Sequence, residues 1–277
     1  MRKPVRTLFI VIFSVYCVPM GASWLAHTFT SDVQASDWRT ARRDSAGIAP
    51  SVAPDQAAIQ AWCARAFRWR GAFGEHCWIS TKKIDDSQWT RFEVTGWAVR
   101  RGGEAVQVAR GVPDGYWYGA KPTLIRAIHG GTEVETWIER LHAASDAYPH
   151  NAEYRIWPGP NSNTYIAYLG RAVPELSLDL PPTAIGKDFI PQGGFVATAP
   201  SGSGVQMAFG GLFGLILAPQ EGLEMNLLGL SAGIDAWPPA LKLPGLGRIG
   251  FPSEASNEHG SADEPGKRSV NQTDQPG

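Results

Sequence analysis

The chain has 277 residues, enough for one large domain or two small ones. Hydrophobic residues make up 43% and charged residues 18%, so most of the chain can bury a core, which excludes a wholly disordered protein. A formal net charge of −1 with no basic stripe excludes a nucleic-acid binder that depends on phosphate contacts.

Arg2, Lys3 and Arg6 precede an apolar run from Leu8 to Val18 that continues less strictly to Ala26. Residues 1–26 therefore read as a secretory signal peptide or a single membrane anchor. The small residues Gly21-Ala22-Ser23 suit a signal peptidase, whereas Pro19 and Gly21 weaken a spanning helix. Tyr16 is too bulky to precede a lipidated Cys17. The basic residues hold the N-terminus in the cytoplasm, which places the rest of the chain at the inner membrane or in the periplasm.

Residues 27–53, polar and small, read as a linker, and residues 54–250 as one α+β domain. "DQAAIQAWCARAF", Asp55 to Phe67, predicts a helix with Ile59, Trp62, Cys63 and Ala66 on one face. "HCWISTKKI" and "TRFEVTGWAVR" alternate and are rich in aromatic and β-branched residues, so 76–82 and 90–99 predict a β-hairpin, with "AVQVARG" as a third strand. Asp114-Gly115 is a turn, and His129-Gly130-Gly131 reads as a helix C-cap and turn. From Thr132 to Tyr148, Val134, Trp137, Ile138, Leu141 and Ala144 form a stripe at helical spacing, packed on the sheet. A helix from Ser162 to Ala172 follows. From about 200 to 250 the chain is Gly-rich and apolar without a helical stripe, which predicts a β-hairpin around 205–217 that packs on the core or on a bilayer surface. Residues 251–277 read as a disordered tail.

Metal and nucleotide chemistry find no support: there is no CxxC, HExxH or His-x-His pattern, no phosphate loop and no dinucleotide fingerprint, so no cofactor is expected. Cys63 and Cys77 would sit in an oxidising compartment, where one disulfide is open to them but not required by their spacing. The eleven tryptophans are core or interface anchors first, and a sugar or lipid groove second.

Two stretches carry candidate chemistry. His76 opens a strand on which Trp78 and Ser80 share its face while Cys77 points away. In "YRIWPGPNSNTYIAYLG", Asn161, Ser162 and Asn163 are N-cap residue types at a helix start, where free N–H groups could also hold an oxyanion. Lys187 and Asp188 are first a solvated or locally paired couple, and second a contact for a substrate carboxylate.

The stretches "EHCWIS", "TRFEVTGW", "PDGYWYG", "YRIWPGPNSNTYIA", "LPPTAIGKDF" and "EGLEMNLLGLSAGIDAWPPALKLPGLGRIG" resemble the proteobacterial family of unknown function numbered 3750. A His ahead of an Asn-Ser-Asn helix start is also similar to circularly permuted papain-like hydrolases of the NlpC type, where a Cys stands at the place of Ser162. That resemblance implies a permuted papain-like core of antiparallel sheet and packed helices. It also implies Ser162 as nucleophile, His76 as base, Glu93 as the group orienting the imidazole, and Asn161, Asn163, Trp78, Lys187 and Asp188 as substrate-binding residues. A serine hydroxyl cannot be ionised by a helix dipole as a thiol can, so it needs His76 within hydrogen-bond reach. Two functions follow. One is a cell-envelope hydrolase or acyltransferase. The other is an inactive membrane-anchored binding or structural module, in which Ser162 merely caps a helix and the Gly-rich segment meets a membrane or envelope component.

Overall fold

The computed structural model describes residues 3–30 and 37–251. Helix α1 runs from Lys3 to Thr30, and its segment Pro4–Phe29 is long and apolar enough to cross a membrane. The chain then builds an antiparallel sheet from β1 (Ala57–Arg65), β2 (Glu75–Lys82), β3 (Thr90–Val94), β4 (Val106–Arg110) and β5 (Thr123–Gly130), in spatial order β4-β3-β2-β1-β5. A short helix α2 (Gly96–Arg100) interrupts it. Helices α3 (Thr132–Asp146) and α4 (Ser162–Ala172) cover one face. A second sheet follows as a meander of β6 (Val196–Ala197), β7 (Val205–Phe209), β8 (Phe213–Ala218), β9 (Gly222–Leu227), β10 (Leu230–Asp235), β11 (Ala240–Leu243) and β12 (Gly247–Gly250). The architecture is α+β.

The stretch expected as a helix over Asp55–Phe67 is strand β1, the correction with the widest consequence. β1 lies between β2 and β5 and is covered on both sides. Ile59, Ala61 and Cys63 enter the core shared with Ile138, Leu141, Tyr165, Ile166 and Leu169 of α3 and α4. Trp62 and Ala64 join Trp78 and Ala120 on the opposite face. A strand buried on both faces has no polar alternation, so its apolar positions can equally be read at helical spacing. β5 escapes a sequence reading because it is only half-buried. Its last residues pair with β1, Ala58 opposite His129 and Ala57 opposite Gly130, so His129 and Gly130 end a strand rather than a helix, and Gly131 opens α3.

The hairpin expected from the alternation is present, with Ile79 opposite Phe92, and β4 extends it through Phe92 opposite Val108. β3 stops at Val94 instead of reaching 99. Thr95 N donates to the Ala105 carbonyl, and the Tyr154 ring lies where a Cβ on Gly96 would stand, 2.4 Å from the nearest ring atom. The chain must turn there, and α2 is that turn.

The stretch 37–53 is attached rather than free: Ser45 bridges Gly115, and Asp114 accepts hydrogen bonds from Ser45 Oγ (2.7 Å), Ile48 N (2.8 Å) and Ala49 N (3.2 Å). Residues 31–36 of the expected linker, and all but Phe251 of the expected tail, lie outside the described residues. Cys63 and Cys77 face each other in the β1–β2 register and form a disulfide.

Candidate functional site

The loop before α4 carries two cis peptides, at Pro158 and Pro160, and delivers Asn161 as the N-cap. Asn161 Oδ1 accepts from Asn163 N (2.9 Å) and Thr164 N (3.1 Å), while Thr164 Oγ1 accepts from Asn161 N (3.1 Å). This is a reciprocal capping box. The Asn161 amide also donates to the carbonyls of Ile156 (3.1 Å) and Ile185 (3.0 Å). Gly186, at φ +100°, passes so close that a Cβ would lie 2.3 Å from Asn161 Nδ2, so only glycine fits there.

Asn163 joins this helix start to the sheet. β2 is unpaired with β3 below Ile79, and Asn163 uses the backbone groups left free there. Its Oδ1 accepts from Cys77 N (3.1 Å), and its Nδ2 donates to the carbonyls of Glu75 and Ile185, both at 2.9 Å. Ser162 lies beside Tyr154 and acts weakly against the burial that raises the Tyr154 pKa. Sequence reasoning missed Thr164, Gly186 and Tyr154. A Thr three residues after an Asn N-cap could have signalled the capping box.

Replacing Asn161 with alanine removes the cap and the two bonds its amide makes to the Ile156 and Ile185 carbonyls. The expected loss is about 2 kcal/mol, the upper end of the capping range. Asn161→Ser restores an acceptor and should recover about 1 kcal/mol. Urea unfolding of the detergent-solubilised full chain, followed by tryptophan fluorescence, measures both, and equal midpoints for all three proteins would refute this account.

The second cluster forms on the face of β2 away from α4. His76 and Trp78 share that face, as their alternation requires, while Cys77 enters the core under the helices. The His76 ring stacks on Trp117 at 3.5 Å and 8°, and its Nε2 lies 3.1 Å from Glu93 Oε2. Arg91 donates to the same oxygen at 3.0 Å and lays its guanidinium over the Trp78 ring at 4.0 Å. The turn at 113–117 closes the cluster: the Pro113 carbonyl accepts from Trp78 Nε1 (2.8 Å) and Ser80 Oγ (3.3 Å).

Burial pushes the His76 pKa down against the opposing pull of Glu93, so the imidazole is neutral at pH 7 and donates Nε2–H to the carboxylate. Burial alone would raise Glu93, but the hydrogen bond from His76 and the charge of Arg91 outweigh it and hold the carboxyl below its ordinary value. His76 and Glu93 are thus brought together. Among the described residues no hydrogen bond joins His76 to Ser162.

The first-turn donors of α4 are also engaged. Asn163 N and Thr164 N go to the Asn161 side chain, and Tyr165 N goes to the Asn161 carbonyl. Of the N–H groups offered to an oxyanion, that leaves the one on Ser162 itself.

Lys187 and Asp188 are fully buried, not solvated. Lys187 is ion-paired to Asp188 at 3.5 Å and donates to Glu224 of β9. Glu224 also accepts from Lys242 (2.8 Å), which reaches Asp179 (2.8 Å) and Asp235 (3.1 Å), and Arg248 closes the chain on Asp235 at 2.7 Å. Burial pushes Asp179 up to about 7, whereas the two lysines hold Glu224 below its ordinary value despite burial. This network joins the α/β part of the fold to the inner face of the second sheet.

Residues 56–189 match the model of a family described as Protein of unknown function (DUF3750). That segment belongs to this family. No curated protein and no solved structure matches it. The DUF3750 segment takes in the His76–Glu93 pair, the Asn161-Ser162-Asn163 turn and the Lys187–Asp188 pair. It leaves out α1 and the seven-stranded sheet.

Proposed function

We propose that this DUF3750 protein is a membrane-anchored binding or structural module of the cell envelope, with its folded part outside the cytoplasm. The attachment of α1 to the folded body carries this reading. Ser23 Oγ lies 2.5 Å from the Ala72 carbonyl and 2.9 Å from the Gly245 carbonyl, sharing its proton between them. Tyr16 OH donates to the Met225 carbonyl at 2.8 Å, Trp24 stacks on Phe73, and His27 Nε2 meets the Arg68 carbonyl at 3.0 Å. Cleavage at Gly21-Ala22-Ser23 would cut through these contacts, which favours a retained anchor over a removed signal. The disulfide favours an oxidising compartment, and Arg2, Lys3 and Arg6 favour a cytoplasmic N-terminus.

The engaged amides of α4, and a His76 Nε2 turned to Glu93 rather than to Ser162, favour a structural role for the Asn-Ser-Asn turn over a nucleophilic one. Membranes carrying the full chain, washed at alkaline pH and treated with a fluorophosphonate, test this reading. The protein should stay in the pellet at its full mass and without label. A shortened soluble chain, or label that Ser162→Ala removes, would overturn it, the latter in favour of a serine hydrolase.

A further inference from the structure

The second sheet is built inside out. Apart from Ile216, its inner positions are polar or small, including Gln206, Glu224, Asn226, Ser231 and Lys242, all buried. Across its outer face the register aligns Val205, Leu217, Leu223, Ile234, Leu241 and Ile249 in one row over six strands. All six are exposed. Met207, Leu215 and Met225 form a parallel exposed row, and Phe209 opposite Phe213 extends the surface toward one end. The outward positions of β7 to β12 include no charged or polar side chain.

At ordinary strand spacing, six strands of about five residues present roughly 500 Å². A soluble monomer rarely exposes a much larger apolar patch, and here a second one adjoins it. Helix α1 packs against β10 and β11, and Ala232, which the register places on the outer face beside Met225, is buried. On the side away from the sheet α1 exposes Val18, Leu25 and Phe29, and nearer its N-terminus Phe9 and Phe13 are exposed as well.

Geometry couples the two surfaces. Tyr16 lies near the middle of the apolar segment Pro4–Phe29, about 18 Å along the helix from Pro4. It is hydrogen-bonded to β9. A bilayer that takes up α1 on both sides of Tyr16 must therefore meet the sheet beside it.

We propose that the outer face of the seven-stranded sheet docks on the bilayer, forming with the exposed side of α1 one continuous lipid-contacting surface. The strands stay hydrogen-bonded to one another as the face lies on the apolar layer, so no ladder bond is given up to lipid. This inference rests on the membrane-anchored reading and specifies which surface of the folded part touches lipid.

The test uses the full chain in phosphatidylcholine vesicles. In a Cys17→Ser background, single cysteines at Phe9, Leu217, Leu241 and Ser87 carry an environment-sensitive fluorophore, with Ser87 as the exposed aqueous control. Probes at 217 and 241 should shift to the blue, be quenched by nitroxide-bearing lipids, and resist aqueous iodide severalfold better than the probe at 87. Iodide quenching at 217 and 241 equal to that at 87 would overturn the proposal. So would shielding from both quenchers, which would mean that protein, either a partner or a second copy, covers the face. Lipid contact at 9 without contact at 217 and 241 sinks this inference alone, whereas loss of lipid contact at 9 as well sinks the anchored reading.

Discussion

Glu224→Leu is expected to lower the unfolding free energy of the full chain by about 3–5 kcal/mol, the range for removing one partner of a buried ion pair. Glu224 accepts from two ammonium groups, Lys187 and Lys242, all three side chains being almost wholly excluded from solvent. Leucine of similar size leaves the cavity filled, so the loss reports charge rather than packing. Lys242 keeps Asp179 and Asp235, but Lys187 is left with only the 3.5 Å contact to Asp188. Glu224→Gln keeps acceptor geometry without the charge and should fall between the two. The measurement is the urea midpoint of detergent-solubilised protein. A midpoint within error of wild type for Glu224→Leu would show that the network contributes no net stability.

Reduction of the Cys63–Cys77 bond is expected to cost about 3 kcal/mol, the loop-closure entropy of a crosslink of this span. The sequence separation is 14 residues, and the two cysteines are directly opposed on neighbouring strands. The bond ties β1 to β2, and Asn163 fastens α4 to the backbone of Cys77, so the crosslink supports the point where sheet and helix meet. A thiol reductant should lower the urea midpoint of the wild-type chain and leave a Cys63→Ala, Cys77→Ala variant unchanged. In a Cys17→Ser background, which removes the free exposed thiol, reaction with maleimide in the native, unreduced protein would refute the pairing. The two losses should add, because the disulfide and the Glu224 network share no partner.

The features legible in the sequence were those decided within a few residues. Helix α4 starts at Ser162 and ends at Ala172 as its turn residues and spacing indicate, because an N-cap acts on donors two and three positions away. β3 shows alternation and α3 shows its stripe because each has one wetter side, whereas β2, buried from His76 onward, is legible from its alternation of polar and apolar residues alone. The apolar length and flanking charges of α1 are likewise intrinsic to their own stretch.

The tertiary structure decided whatever depends on a distant partner. β1 is a strand because β2 and β5 bracket it and both its faces find cover, a fact that leaves no period in "AAIQAWCAR". Lys187 and Asp188 look like a surface couple until Glu224 and Lys242, far along the chain, are folded against them. His76 precedes Ser162 in the sequence, the order on which the expectation of a catalytic pair rested. Which way the His76 ring turns, and that Ser162 lies beside Tyr154, are settled by strand pairing and helix docking. The outward apolar rows of the second sheet are equally invisible locally, since alternation marks two faces without saying which one is inside. That choice was made by charge: Glu224, Lys242 and Asp235 neutralise one another only when turned inward together, which leaves the apolar side of every strand facing out.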